Sequence, residues 1–266
     1  MYDYHSHSSF SDDCSTPMKE MIETACKLGI KEIAITDHYE DYSETELDFE
    51  LDFPNYHKAL NEVKEGYKSR IKVIKGIEIG IQHGKVLEKC KVHAKEFDYD
   101  FIIGGFHFAE GFELYKLDFF DNRSVEDSYI AFYTYMRNCL LNYKDYDVVA
   151  HFNIIDRYTN YIPSASIYMD LVEEILKIII ADDKGIEINT SSFRYGMGER
   201  TTPAMEILQM YKDLGGEIIT IGSDAHRTKD IGYRLDFAVE MIKSVGLKYF
   251  ATFDQRKLNF VKLDSF

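Results

Sequence analysis

The 266-residue chain has no tryptophan, a gap from which no function follows, and only four cysteines. Cys14, Cys26, Cys90 and Cys139 lie far apart, with no CxxC pair and no histidine partner at zinc-finger spacing. That pattern argues against a disulfide framework and a thiolate metal site and leaves buried, reduced thiols. No apolar run approaches the ~20 residues needed to span a bilayer. No basic segment precedes an apolar one at the start of the chain, so no signal peptide is expected. Positive charge is short as well: 31 Lys and Arg face 46 Asp and Glu, a formal net charge of −15 at pH 7. So acidic a surface repels a phosphate backbone, which argues against nucleic-acid and anionic-membrane partners. A small phosphorylated substrate would be repelled too, unless bound cations reverse the local field, as a cluster of divalent ions does. The expectation is a soluble cytoplasmic protein.

What is present is ordinary globular composition, 45% hydrophobic and 29% charged. A single (β/α) barrel of ~250 residues would use the whole chain, 1–266. Helices are predicted over 17–28, 55–69, 86–96, 125–142, 171–184, 204–214 and 231–245. Thr16 is expected as the first N-cap, with Pro17 at N1 and Gly29 just past the end. Short strands are predicted at the N-terminus and over 32–36, 72–78, 101–106, 148–150, 186–189 and 218–222, with a further one at 249–253. The polar stretch 39–52 suits a long loop over a strand end. Strands alternating with helices imply a parallel sheet. About seven units, roughly 30–45 residues apart, suit a closed barrel better than the alternative, an open doubly wound sheet.

The chain is organised around Tyr4-His5-Ser6-His7, the end of its first short strand. Side chains alternate along a strand, so His5 and His7 point the same way and can chelate one ion. A lone His-x-His is commonplace, and so is one histidine at a strand end. Here His5/His7, His38, Glu78, His107, His151 and Asp224/His226 each fall at or just after the C-terminal end of a predicted strand. In barrels that rim carries the active site, so these residues should converge on one polar pocket. Glu78 lies between Ile77 and Ile79, and a carboxylate in an apolar strand needs a partner. His, Asp and Glu without thiolate suit zinc, manganese or ferrous ions, and the ligands exceed what one ion can use.

His5-Ser6-His7, Thr36-Asp37-His38, Gly76-Ile77-Glu78, His107, His151 and Ser223-Asp224-Ala225-His226 resemble, in order, the motifs of the polymerase and histidinol phosphatase (PHP) family. Length, the lack of fused domains, Glu187-Ile188-Asn189-Thr190 and His151-Phe152-Asn153 look most like its histidinol-phosphate phosphatase branch. The resemblance implies a distorted (β/α)7 TIM-like barrel with two to three divalent ions. By motif, His5, His7, Glu78 and Asp224 would hold one ion. Glu78 would bridge to a second on His107 and His151. His38 and His226 would hold a third with Asp13, for which the adjacent Asp12 is the alternative. Asp37 would orient a ligand.

About six positive charges from three dications, less four from Asp13, Glu78, Asp224 and one hydroxide, roughly cancel a phosphate monoester dianion. The activity implied is hydrolysis of L-histidinol phosphate by a metal-bridging hydroxide, with Glu78, Asp224 and His226 serving as ligands. Ser192, Ser223 and Cys14 lack an activating base and read as structural. Arg194 is the first choice to bind phosphate and Arg157 the second, since a guanidinium fork matches phosphate oxygens. His83 could touch the phosphate or an imidazole of the substrate. His57 and His93 fall in predicted helices and read as surface. The rivals are another PHP phosphoesterase, acting on a nucleotide, oligonucleotide or phosphotyrosine, and a non-catalytic metal-binding scaffold.

Overall fold

The computed structural model describes residues 1–42, 50–198 and 200–266. Its strands are β1 Tyr2–Asp3, β2 Glu32–Ile35, β3 His38–Tyr39, β4 Lys72–Gly80, β5 Phe101–Gly105, β6 Phe108–Ala109, β7 Phe112–Glu113, β8 Val148–Val149, β9 Gly185–Asn189, β10 Ile219–Gly222, β11 Tyr249–Asp254 and β12 Lys257–Lys262. Its helices are α1 Met18–Lys27, α2 Phe53–Tyr67, α3 Lys85–His93, α4 Val125–Asn142, α5 Ala165–Ala181, α6 Met205–Asp213 and α7 Leu235–Ser244. Strands pair in the order β1-β2-β4-β5-β8-β9-β10, all parallel, and β3 pairs the upper part of β4. Past the formal ends of β1 and β10 the sheet closes on itself. Tyr4 N donates to Ile221 O at 2.9 Å, Asp224 N to His5 O at 2.8 Å and His7 N to Ala225 O at 2.9 Å. The result is a distorted seven-stranded barrel, as expected.

Helices pack outside because each carries an apolar stripe at helical spacing. Met21, Ile22 and Ala25 of α1 and Ile175, Leu176 and Ile179 of α5 are fully buried in the shared core. Inside the barrel a separate cluster of Tyr4, Ala34, Ile74, Phe101, Ile103, Val148 and Ala150 is closed from below by Ala251 and Phe253. Those two belong to β11, which pairs antiparallel with β12 to form a hairpin rather than the single short strand expected at 249–253. The hairpin is anchored: Phe253 N donates to Tyr4 Oη at 3.2 Å and Arg256 Nε to Asp147 Oδ2 at 2.6 Å.

Several local expectations need correction. Pro17, not Thr16, stands at the N-cap position of α1, no side chain caps it, and the Thr16 hydroxyl donates instead to the His226 carbonyl at 3.3 Å. Helix α5 begins at Ala165 rather than 171: Ala165 and Ser166 are exposed, but Ile167 and buried Tyr168 already pack on the core. Helix α7 begins at Leu235 rather than 231, because Arg234 takes a left-handed conformation that a helix cannot include. His57 and His93 are half-buried rather than surface residues: they stack on Phe97 at 4.0 Å and Phe53 at 4.2 Å. Of the loop expected over 39–52, residues 43–49 lie outside the described residues. Its start is no surface loop, since Tyr39 and Glu40 are buried.

Candidate metal centre

Register and closure bring the ligand candidates together. Pairing of β3 with β4 sets His38 opposite Glu78. Closure of β10 on the N-terminal strand sets His5 and His7 beside Asp224 and His226. His107 and His151 follow the ends of β5 and β8. His151 and Asp224 both have φ of 55°. A non-glycine residue in that region costs ~1–3 kcal/mol and persists where the surroundings over-determine it. Here it turns both side chains over the barrel mouth.

Glu78, fully buried, is the hub. Its Oε2 lies 2.9 Å from His5 Nε2, 3.5 Å from His7 Nε2 and 3.2 Å from His38 Nδ1. Its Oε1 lies 3.0 Å from His151 Nε2 and 3.5 Å from His107 Nε2. Asp224 Oδ1 is 3.3 Å from His7 Nε2 and 3.7 Å from His5 Nε2. Asp13 Oδ2 is 3.0 Å from His226 Nε2, and Asp13 Oδ1 is 3.9 Å from His38 Nε2. Among the described residues, three groups bring one donor atom from each residue within 4.8 Å of the others: His5/His7/Asp224, His38/Glu78/His107 and His7/His38/His226. His7 and His38 thus each stand between two groups, a sharing that the motif-by-motif allocation did not contain.

The donor set fits divalent metal. Among the described residues, His7 Nε2, His38 Nδ1 and Glu78 Oε1 are buried and find no hydrogen-bond partner, although acceptors or rings lie within 3.5 Å of each. These atoms crowd around the Glu78 carboxylate at the barrel mouth. Leaving such atoms unsatisfied is costly, and cations at the points of convergence relieve the cost. The ligand types, imidazole and carboxylate, suit zinc, manganese or iron.

Electrostatics point the same way. Burial disfavours a proton on His5, yet Glu187, Glu78 and Asp224 outweigh it and hold its pKa well above the usual value. The same contest, with Glu40 foremost among the carboxylates, brings His107 to about 9. Burial wins at His151, pushed down to about 4, and at His7. Glu78 stays anionic despite burial because His5, His38 and His107 surround it. A cation entering this nest replaces protons shared among rings, the usual coupling of metal binding to proton release.

The PHP domain family model matches residues 3–191. The chain belongs to the PHP domain family. It is 30% identical over 251 residues to a probable histidinol-phosphatase of Clostridium acetobutylicum, covering 93% of this chain and 95% of the relative. It is 27% identical over 261 residues to the histidinol-phosphatase of Lactococcus lactis, covering 97% and 96%. The crystal structure of that L. lactis protein, complexed with zinc, L-histidinol and phosphate, superposes with a TM-score of 0.87 at 27% identity, covering 97% and 98% of the two chains.

In this PHP barrel the mouth above Glu78 is a cavity of about 550 Å³. His38, His107, His151, Asp224 and His226 form its floor, and Tyr42, Phe108, Tyr115, Tyr158 and Tyr195 supply aromatic wall. Arg157 lines it, lying 4.1 Å from the Tyr195 ring centroid and donating to Ser191 Oγ at 3.2 Å. Arg194 does not line it. Its Nη2 donates to the carbonyls of Ser223 (2.9 Å) and Asp224 (2.8 Å), and the side chain lines an adjoining cavity with Asp13 and His226. His83 is exposed and lines neither cavity; its backbone N–H donates to Tyr135 Oη at 2.8 Å. Asp12 accepts from Tyr42 Oη at 3.1 Å, whereas Asp13 faces the histidines. Asp37 takes two bonds from Ser8 and one from Ser11, whose Oγ lies 3.2 Å from His7 Nδ1. A hydrogen-bond chain thus links it to His7 through Ser11.

Sequence reasoning gave no role to two carboxylates. Glu187 Oε1 lies 2.7 Å from His5 Nδ1, and Glu40 Oε1 lies 2.5 Å from His107 Nδ1. A signal for the first was present: Glu187 sits between Ile186 and Ile188 in an apolar strand, as Glu78 does between Ile77 and Ile79. For the second, residues 39–52 looked like solvent-facing loop and masked it.

Proposed function

We propose that residues 1–266 act as one cytoplasmic PHP-type phosphatase domain that hydrolyses L-histidinol phosphate to L-histidinol and phosphate, using two to three divalent ions. Zinc, manganese and iron are the candidates. The observation that carries this reading is the convergence of imidazole and carboxylate donors on the two oxygens of buried Glu78. Support also comes from the L. lactis histidinol phosphatase, which shares the fold over nearly the full chain and was solved with histidinol and phosphate.

When bound, the ions would supply electrophilic assistance to the phosphoryl group and acidify an attacking water. His5, His7, Glu78 and Asp224 would hold one, Glu78, His107 and His151 another, and His38, His226 and Asp13 the third, with His7 and His38 placed to be shared. Arg157 has a buried Nε without a hydrogen bond and is placed to meet a phosphoryl oxygen entering the cavity. Arg194 keeps a buried, unbonded Nη1 for the same dianion while its Nη2 steadies the loop carrying Asp224. The aromatic wall suits a small planar group such as imidazole.

The test is turnover by zinc- and manganese-loaded protein of L-histidinol phosphate against nucleoside monophosphates, an oligonucleotide and phosphotyrosine. The expected result is a kcat/KM for L-histidinol phosphate at least an order of magnitude above the others. A preference for phosphotyrosine or a nucleotide would move the chain to the rival PHP activity. Full ion occupancy without turnover of any of them would make it a scaffold.

A further inference from the structure

Two buried glutamates outside the ligand set stand in matched positions on opposite sides of the nest. Glu187, on β9, reaches Nδ1 of His5, whose Nε2 faces Oε2 of Glu78 at 2.9 Å. Glu40, just past β3, reaches Nδ1 of His107, whose Nε2 faces Oε1 of Glu78 at 3.5 Å. Each glutamate also lies over a glycine ending a barrel strand. A Cβ on Gly222 would come within 2.2 Å of Glu187 Oε1, and one on Gly80 within 1.8 Å of Glu40 Oε2. The backbone therefore makes room for both carboxylates at the rim, where larger residues would fill it. Asn189 Nδ2 holds the free oxygen of Glu187 at 3.0 Å. His7 Nδ1, by contrast, leans on the neutral Ser11 Oγ at 3.2 Å, and His226 Nδ1 on the Asp224 carbonyl at 3.1 Å, with an oxygen of the Asp224 carboxylate farther off at 3.5 Å.

We propose that Glu187 and Glu40 are positioning residues, each fixing one imidazole for a different ion, His5 for the first and His107 for the second. This rests on reading the nest as a metal centre. A carboxylate on Nδ1 holds the proton there, leaves the Nε2 lone pair for the metal and makes that nitrogen more basic. Because the two pairs approach different oxygens of Glu78, they act on their ions separately.

The experiment uses the full chain, stripped of metal and titrated with zinc against a chromophoric chelator. Glu187→Ala and Glu40→Ala should each weaken one zinc by about 10–100-fold and leave the remaining ions near wild type. Combination variants identify which ion is affected. Glu187→Ala should add nothing on a His5→Ala background and its full effect on a His107→Ala background, and Glu40→Ala should behave the opposite way. Glu187→Gln and Glu40→Gln keep the side-chain volume and one acceptor oxygen, so they serve where an alanine variant fails to fold. They should lose affinity for the same ion, by less than alanine does. Wild-type zinc affinity in the glutamine variants, or additivity with the very histidine each glutamate touches, would overturn the proposal. A wild-type chain that takes up no zinc would instead overturn the metal-centre reading.

Discussion

The two ends of one barrel are built from the same strands and bury opposite chemistry. Along β4 the inward face carries Ile74, then Gly76, then Glu78; along β5 it carries Phe101 and Ile103, then Gly105, with His107 beyond. At the lower end these positions join Tyr4, Val148 and Phe253 in an apolar plug. At the upper end glycine takes over and the vacated space holds carboxylate and imidazole. A Cβ on Gly105 would lie 2.7 Å from Glu78 Oε1. Burial stabilises the lower end directly, whereas at the upper end it penalises every charge and is tolerated only where opposite charges meet. Folding free energy and metal affinity are thus concentrated at different heights of the same strands.

The largest expected effect is at the hub. Glu78→Ala should remove more than one ion by elemental analysis and lower kcat/KM at least roughly a thousandfold, since it withdraws several kcal/mol of electrophilic assistance. Full ion occupancy in that variant would break the picture of a shared carboxylate. Next comes the plug: Phe253→Ala should cost about 3–5 kcal/mol in denaturant unfolding while the ion content of the folded fraction stays at wild type. If metal is lost in proportion to stability, the two ends are not separate.

The arginines sharpen the division within the upper end. Arg157→Ala should lower kcat/KM for L-histidinol phosphate by about 2–5 kcal/mol, roughly thirty-fold to several thousand-fold, with metal retained. Arg194→Ala should lower kcat/KM and metal retention together, because Nη2 holds the Asp224 carbonyl. Parallel behaviour of the two variants would contradict this contrast. The smallest effect belongs to Asp12→Ala, within about ±0.5 kcal/mol in activity and stability, as for a surface residue. Asp13→Ala should lose the ion beside His226, and silence of both variants in a metal titration would remove Asp13 from the site.

The site was more legible than its surroundings. Ligand candidates such as His107 and Glu78 stand at the ends of short apolar strands, so position marks them without any knowledge of neighbours. Glu40 was hidden because its segment is acidic and looks solvated until pairing of β3 with β4 buries it. The place of Arg194 after β9 marks it as a phosphate-binding candidate but does not say which cavity it lines. The chain path gives its Nη2 to two backbone carbonyls and its side chain to the adjoining cavity. The β11–β12 hairpin was half seen because an exposed strand such as β12 carries no burial pattern.

Sequence alone determined which residue types end each strand, the alternation of strand and helix, and therefore a parallel barrel with metal-type ligands at one rim. These depend on local periodicity and on the penalty for placing a carboxylate among isoleucines, both readable along the chain. Tertiary structure decided which candidate donors cluster within reach of one another, which arginine faces the cavity, and that Glu187 and Glu40 stand behind His5 and His107. Those outcomes follow from closure between Tyr4 and Ile221 and from the space left over Gly80 and Gly222. Distances of 2–4 Å between residues up to 249 positions apart, such as Phe253 and Tyr4, are set by packing, which no local pattern encodes.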